Sequence, residues 1–308
     1  MRGPKLLVAG CVFVSCIHCG GGSAPQGPTS PSPGGPPGTN PPPTPPPPSA
    51  PQVLVGAGDI GWCGSPGPEQ TARLIDTLGG TVFTAGDNAY FSGTRQEYQT
   101  CYDPSWGRHK ARTRPVPGNH EYESPGAAPY FEYFGAAAGP SGLGYYSFEL
   151  GDWHAIALNS NVDSHDGSPQ AQWLRADLGA SRSRCTIAYW HHPLFSSGPN
   201  GNDTHMRDVW RILYEAGVDV IVNGHDHLYE RFAPQDPDGR VDSTRGIREF
   251  IVGTGGAQLY TVVTPRANSE VRMANTYGVL KLTLLSGNYQ WDFLQVSGGG
   301  DSGSASCH

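Results

Sequence analysis

The chain has 308 residues, with 20 Lys and Arg against 27 Asp and Glu, a net charge of −7 and a sequence pI near 5.8. No Lys/Arg cluster stands out in the core, which argues against nucleic-acid binding as the main task. The first fifty residues, rich in Gly, Pro, Ser and Thr, cannot contribute to a core, so the remainder has the size of one domain.

In chain order, residues 1–19 read as an export signal: Arg2 and Lys5 form a positive start, and Leu6 to Ser15 an apolar stretch too short to span a bilayer. Cys16 follows Val14-Ser15, in a pattern that resembles bacterial lipoprotein signals, and is the favoured lipidation site. Cys11, after Val8-Ala9-Gly10, is the other choice, and ordinary secretion the plain one. The expected location is a bacterial cell envelope or the medium, with membrane contact only through such an anchor. Residues 20–52, with the run from Pro41 to Pro48, read as a semi-rigid polyproline tether.

Residues 53–298 carry the elements. Val53 to Gly58 and Thr81 to Ala85 read as buried strands, separated by helical spacing from Pro68 to Leu78 that Gly79-Gly80 closes. Arg114 to Pro117 is extended. Tyr145 to Leu150 and Trp153 to Leu158 form a hairpin at Gly151-Asp152, followed by a helix over Pro169 to Leu178 and a strand over Cys185 to Trp190. Asp203 to Ala216 is helical and Val218 to Val222 a strand; Glu249 to Val252, Tyr277 to Leu285 and Tyr289 to Val296 complete the strands. Residues 299–308 are expected as a tail. Early alternation and late strand pairs predict an α/β (α+β) fold of two packed mixed sheets flanked by helices. Four cysteines lie beyond the signal without paired zinc-type spacing; Cys63 with Cys101 and Cys185 with Cys307 are the expected disulfides.

Most of these strands end in a polar motif: Gly58-Asp59-Ile60-Gly61, Gly86-Asp87-Asn88-Ala89-Tyr90, Gly118-Asn119-His120-Glu121, His191-His192-Pro193, then His205, then Gly224-His225-Asp226-His227. Oxygen and imidazole donors without thiolate suit iron, zinc or manganese. Two ions about 3.5–4 Å apart need a shared anion, for which Asp87 is the candidate. A phosphoaspartyl nucleophile would leave the histidines without a purpose.

Over residues 53 to about 257 these motifs resemble the calcineurin-like metallophosphoesterases, a four-layer sandwich, and more closely their purple acid phosphatase branch. The resemblance implies Asp59, Asp87, Tyr90 and His227 on one metal and Asp87, Asn119, His191 and His225 on the other. The pair would be Fe(III) with Zn, Mn or Fe(II). It implies His120 and His205 as the histidines that stabilise charge or protonate the leaving group, and hydrolysis of a small phosphate monoester by a metal-activated hydroxide. The His-x-Pro pattern makes His191 the ligand, although a one-residue slip would exchange it with His192. A phosphodiesterase on the same scaffold and an inactive surface binding protein are the competing readings. Glu121 is read as an anchor for His120 or as solvated, and Arg231 as a carboxylate partner that fixes its loop.

Overall fold

A computed structural model of the chain describes Gly27, residues 49–201 and residues 203–308. The expected signal, Cys11, Cys16 and nearly all of the tether lie outside the described residues. Among the described residues there are thirteen strands: β1 (Gln52–Ala57), β2 (Thr81–Ala85), β3 (Thr113–Val116), β4 (Tyr146–Leu150), β5 (Trp153–Ala157), β6 (Cys185–Tyr189), β7 (Val220–Asn223), β8 (Tyr229–Phe232), β9 (Arg248–Val252), β10 (Ser269–Met273), β11 (Gly278–Leu285), β12 (Asn288–Gln295) and β13 (Gly300–Ser306). The helices are α1 (Gly67–Asp76), α2 (Arg95–Glu97), α3 (Asn119–Tyr122), α4 (Ala128–Phe134), α5 (Pro169–Ala180) and α6 (Arg207–Glu215).

The strands form two mixed sheets, in the orders β13-β12-β11-β1-β2-β3 and β10-β8-β9-β7-β6-β5-β4. In the first, β1, β2 and β3 run parallel; in the second, β5, β6, β7 and β9 do. Strands buried on both faces are near-continuous apolar runs, as parallel strands covered on both sides must be. Leu54, Phe83 and Phe293 of one sheet share a buried cluster with Tyr189, Val222 and Phe250 of the other. Phe83 lies 5.7 Å from Tyr189 between ring centroids, and Tyr229 stacks on Phe293 at 3.9 Å. Truncating such a ring to Ala costs about 3–5 kcal/mol.

Helices cover the outer faces. On the second sheet, Leu174 of α5 and Val209, Trp210 and Leu213 of α6 pack against Ile156, Ala188 and Ile221. The Ser168 side chain caps α5 by accepting from Ala171 N, with Pro169 in the first turn where no N–H is needed. On the first sheet α1 buries Ala72 and Ile75.

Two expectations are corrected, and one further stretch holds structure the sequence did not announce. Residues 299–308 are largely a strand: β13 pairs with β12 along its whole length. Its Gly- and Ser-rich sequence has no apolar alternation; polar anchors hold it instead, with Asp301 taking bonds from Tyr229 Oη, Arg231 Nε and Trp291 Nε1. The helix expected from Asp203 begins only at Arg207, because the Asp203 carboxylate takes the His205 N–H in a tight turn. The segment 95–138 contains α2, α3, α4 and short 3₁₀ and π turns that no periodicity announces, since buried Tyr98, Tyr102, Trp106, Tyr130 and Phe134 hold it by ring packing. Cys63 bonds to Cys101, and Cys185 to Cys307.

Candidate metal centre

The parallel strands of both sheets deliver their polar motifs to one place, as open α/β sheets do at strand carboxyl ends. Asp59 follows β1, Asp87 follows β2, Asn119 follows β3, His191 follows β6, and His225 and His227 follow β7. The loops continue the pairing beyond the strands: Asp59 N donates to Gly86 O, Ile60 N to Asp87 O and Gly61 N to Asn88 O. Room for this convergence comes from missing side chains. A Cβ on Gly118 would stand 2.1 Å from Asp87 Oδ1, and one on Gly86 2.5 Å from His191 Nδ1.

All seven residues expected as ligands meet there, in two groups. In the first, Tyr90 Oη donates to Asp59 Oδ1 at 2.8 Å and lies 3.2 Å from His227 Nε2, which is itself 3.1 Å from Asp59 Oδ1. In the second, His191 Nε2 lies 3.1 Å from Asn119 Oδ1 and 3.2 Å from His225 Nδ1. Asp87 Oδ2 belongs to both, at 3.0 Å from Tyr90 Oη and 3.2 Å from His191 Nε2. Backbone amides hold the remaining carboxylate oxygens: His120 N on Asp87 Oδ1 and His225 N on Asp59 Oδ2.

The donor chemistry fits cations. His191 Nδ1 faces Ala85 O at 2.8 Å and His227 Nδ1 faces Gln258 O at 2.6 Å, so each ring carries its proton there and turns Nε2 inward. The inward His191 Nε2 then faces Asn119 Oδ1 and Asp87 Oδ2, neither of which has a proton to give. The crowding of these groups appears in their titration. Burial works against a charge on His191, but the Asp87 carboxylate outweighs it and pushes the imidazole up to about 9. Burial and then the charge of His191 push His225 down to about 4. Burial and the two carboxylates drive the Tyr90 phenol well above its ordinary value, so a phenolate there requires a positive neighbour.

The two histidines expected as acid–base groups differ. His120 Nδ1 faces Phe91 O at 2.5 Å, and its Nε2 is directed at the shared carboxylate, 3.8 Å from Asp87 Oδ2. His205 has both nitrogens opposite oxygens, Nε2 at 2.8 Å from Ser160 O and Nδ1 at 2.7 Å from Asp203 Oδ1. Between His205 and His225 sits His192, with centroid distances of 5.1 and 4.3 Å, its Nδ1 2.8 Å from Ser160 Oγ. His191 thus faces Asp87 and Asn119, while His192 faces Ser160.

Sequence reasoning missed several of these partners. Ser160 follows β5 at the same strand-end position as the motifs, and that position was its signal. Tyr260, stacked on His227 at 3.9 Å and 9°, had none. Glu121 neither touches His120 nor meets water: fully buried, it accepts from Gly118 N, Asn88 N, Ala89 N and Tyr98 Oη. Burial and then Asp87's charge push its carboxyl up to about 7. Asp226 points away from the centre, to the Ser196 hydroxyl and Asn200 N.

A sequence model of the calcineurin-like phosphoesterases matches residues 12–229. Purple acid phosphatase 18 of Arabidopsis thaliana is 35% identical over 148 residues, which are 42% of this chain and 34% of that protein. Purple acid phosphatase 21 of the same plant is 32% identical over 221 residues, 62% of this chain and 48% of that one. The chain thus spans about a third to a half of the length of these curated relatives. Among solved structures, the purple acid phosphatase PPD1 from yellow lupin superposes with a TM-score of 0.72 at 21% identity, over 84% of this chain and 54% of that one. GAP50, described as the anchor in the inner membrane complex of Plasmodium, does so at 0.64 and 13% identity, over 84% and 89%. At such identities the superpositions speak for the fold, a sandwich of two mixed sheets between helices. With the matched segment covering more than half of the chain and all six motifs, the chain belongs to the calcineurin-like phosphoesterase family.

Proposed function

We propose that the chain is a dinuclear metal-dependent phosphatase that hydrolyses small phosphate monoesters. One observation carries this reading: two groups of inward donors, Asp59–Tyr90–His227 and Asn119–His191–His225, share a single carboxylate oxygen of Asp87. Those residues would hold two ions, with Asp87 between them. Bound cations supply Lewis acidity toward the phosphoryl oxygens and lower the pKa of water. The family's match and the purple acid phosphatase relatives support phosphoester chemistry.

The chain's own groups then divide the remaining work. His120, its Nδ1 proton fixed on Phe91 O, turns Nε2 toward the centre and is placed to protonate the leaving alcohol. His205, with both nitrogens held by oxygens, is placed to stabilise charge at the phosphoryl group rather than to pass a proton on. Tyr90 adds a hard anionic donor that favours a ferric ion.

The test compares a chromogenic phosphomonoester with the matching bis-ester on the metal-loaded full-length chain. Monoester cleavage should dominate, and His120→Ala should lower its kcat by roughly 10²–10⁴-fold. Preferred bis-ester cleavage would replace this reading by a phosphodiesterase. Silence on both esters with metals bound would favour the binding protein.

A further inference from the structure

The rim beside His120 is aromatic and partly bare. Phe91 is 55% exposed, and Trp62 lies edge-on to it with centroids 4.4 Å apart. Trp62 is 5.2 Å from Tyr90, and Tyr90 is 4.4 Å from His120, so the pair borders the centre directly. A cavity of about 420 Å³ opens beside Trp62, with Gln258, Leu259 and Tyr277 also in its lining. Gln258 is the residue whose carbonyl orients His227, which ties the cavity wall to the metal-ligand side chains.

These rings are not loose surface residues. The Glu97 carboxylate takes the N–H groups of Phe91, Ser92 and Thr94, and Phe91 O meets His120 Nδ1, so the loop under Phe91 is pinned at both ends of that residue. Trp62 N donates to Ile60 O, and the next residue, Cys63, is bonded to Cys101. A fixed backbone presenting an exposed aromatic face has already lost the freedom that binding would otherwise remove.

The geometry points to a leaving-group subsite: Trp62 and Phe91 receive a planar aromatic group, so the substrates are aryl-type phosphate monoesters. This rests on the phosphatase reading. If His120 protonates the departing oxygen, whatever that oxygen carries must emerge beside His120, and the surface there is Phe91 and Trp62. The flank around His205, Asp203 and Ser160 is polar, and the described side chains there bond to one another. Stacking on such rings strengthens binding by about tenfold or more per aromatic group.

The experiment uses the full-length chain reconstituted with iron and zinc, as wild type, Trp62→Leu and Phe91→Leu. Calorimetry measures phenylphosphonate against methylphosphonate, which share the phosphoryl group and cannot be hydrolysed. Turnover is followed with phenyl phosphate and an alkyl phosphate whose alcohol has matched acidity. Phenylphosphonate should bind wild type about tenfold more tightly than methylphosphonate. Each leucine variant, which keeps apolar area but loses the ring face, should shrink that ratio at least threefold. The KM ratio of the two esters should shrink in parallel. Equal affinities in wild type, or a ratio untouched in both variants, overturn the subsite while ester turnover leaves the phosphatase reading standing. Aryl-selective phosphonate binding without turnover would keep the subsite and overturn the phosphatase reading. Failure of both phosphonates to bind would overturn both.

Discussion

Asp59, Asp87 and His225 sit at φ of 61°, 50° and 70°, in the left-handed region that non-glycine residues avoid. Each such residue costs about 1 kcal/mol or more, and these three all carry centre side chains. Local strain of that kind persists only where surrounding bonds over-determine the backbone. Glu121 supplies many of them, taking the amides of Gly118, Asn88 and Ala89 as well as the Tyr98 hydroxyl. Glu121→Ala would leave three buried N–H groups without a partner around the strained turn at Asp87. We expect a loss of about 2–4 kcal/mol of stability. Metal content should fall even where the chain remains folded. A urea titration and metal analysis of the same sample check this, and unchanged metal content in a folded variant would make Glu121 structural only. At this scale the sequence was uneven. Asp87 and His225 were legible because ligand type, spacing and strand end coincide. Glu121's buried role was not, because its partners are backbone amides that leave no trace in residue identity.

At the scale of elements, a buried histidine ties the second sheet to its outer helix beside their apolar packing. His154 of β5 is buried, with Nδ1 2.7 Å from Glu149 Oε1 of β4 and Nε2 2.7 Å from Asp177 Oδ2 of α5. Burial alone would lower its pKa; the bonds to Asp177 and Glu149 outweigh that and raise it. The folded chain therefore keeps this proton to a higher pH than the unfolded chain, whose histidines titrate near about 6.5. The stabilisation is complete below that value and fades as pH rises through the raised folded one. His154→Gln should remove that slope from the pH profile of the melting temperature, and lower stability below pH 6 by about 1–2 kcal/mol. An unaltered slope would assign it to other groups. The sequence placed both partner elements, β4–β5 as a hairpin and α5 as a helix, yet no motif surrounds His154 to mark its role. Strand and helix periodicities show which face is apolar; they do not show which polar group crosses from one element to the next. β10 and β13 escaped for a related reason. Their alternation is between half-exposed and exposed residues, and they exist because β8 and β12 offer an open edge.

Across the whole molecule, the two disulfides close loops at opposite ends of the strands. Cys185 begins β6, whose other end presents His191, and its partner Cys307 follows β13. This bond spans 122 residues and lies far along the strand from the centre. Cys63–Cys101, spanning 38 residues, lies beside Trp62 and just beyond Asp59. In the chain-entropy account the long loop is worth about 5 kcal/mol and the short one about 4, so their removal should cost comparable stability. Their effects on the site should differ. Cys185→Ser with Cys307→Ser should lower the melting temperature and leave metal affinity and aryl selectivity of the folded protein close to wild type. Cys63→Ser with Cys101→Ser should lower it similarly and also reduce the preference for phenylphosphonate over methylphosphonate, because Trp62 loses its tether. Thermal unfolding with calorimetry on both double variants separates the outcomes. Equal loss of selectivity in the two would mean that the rim responds to global loosening; loss only in the second would make Cys63–Cys101 the device that holds the aromatic face against the metal-binding strand ends.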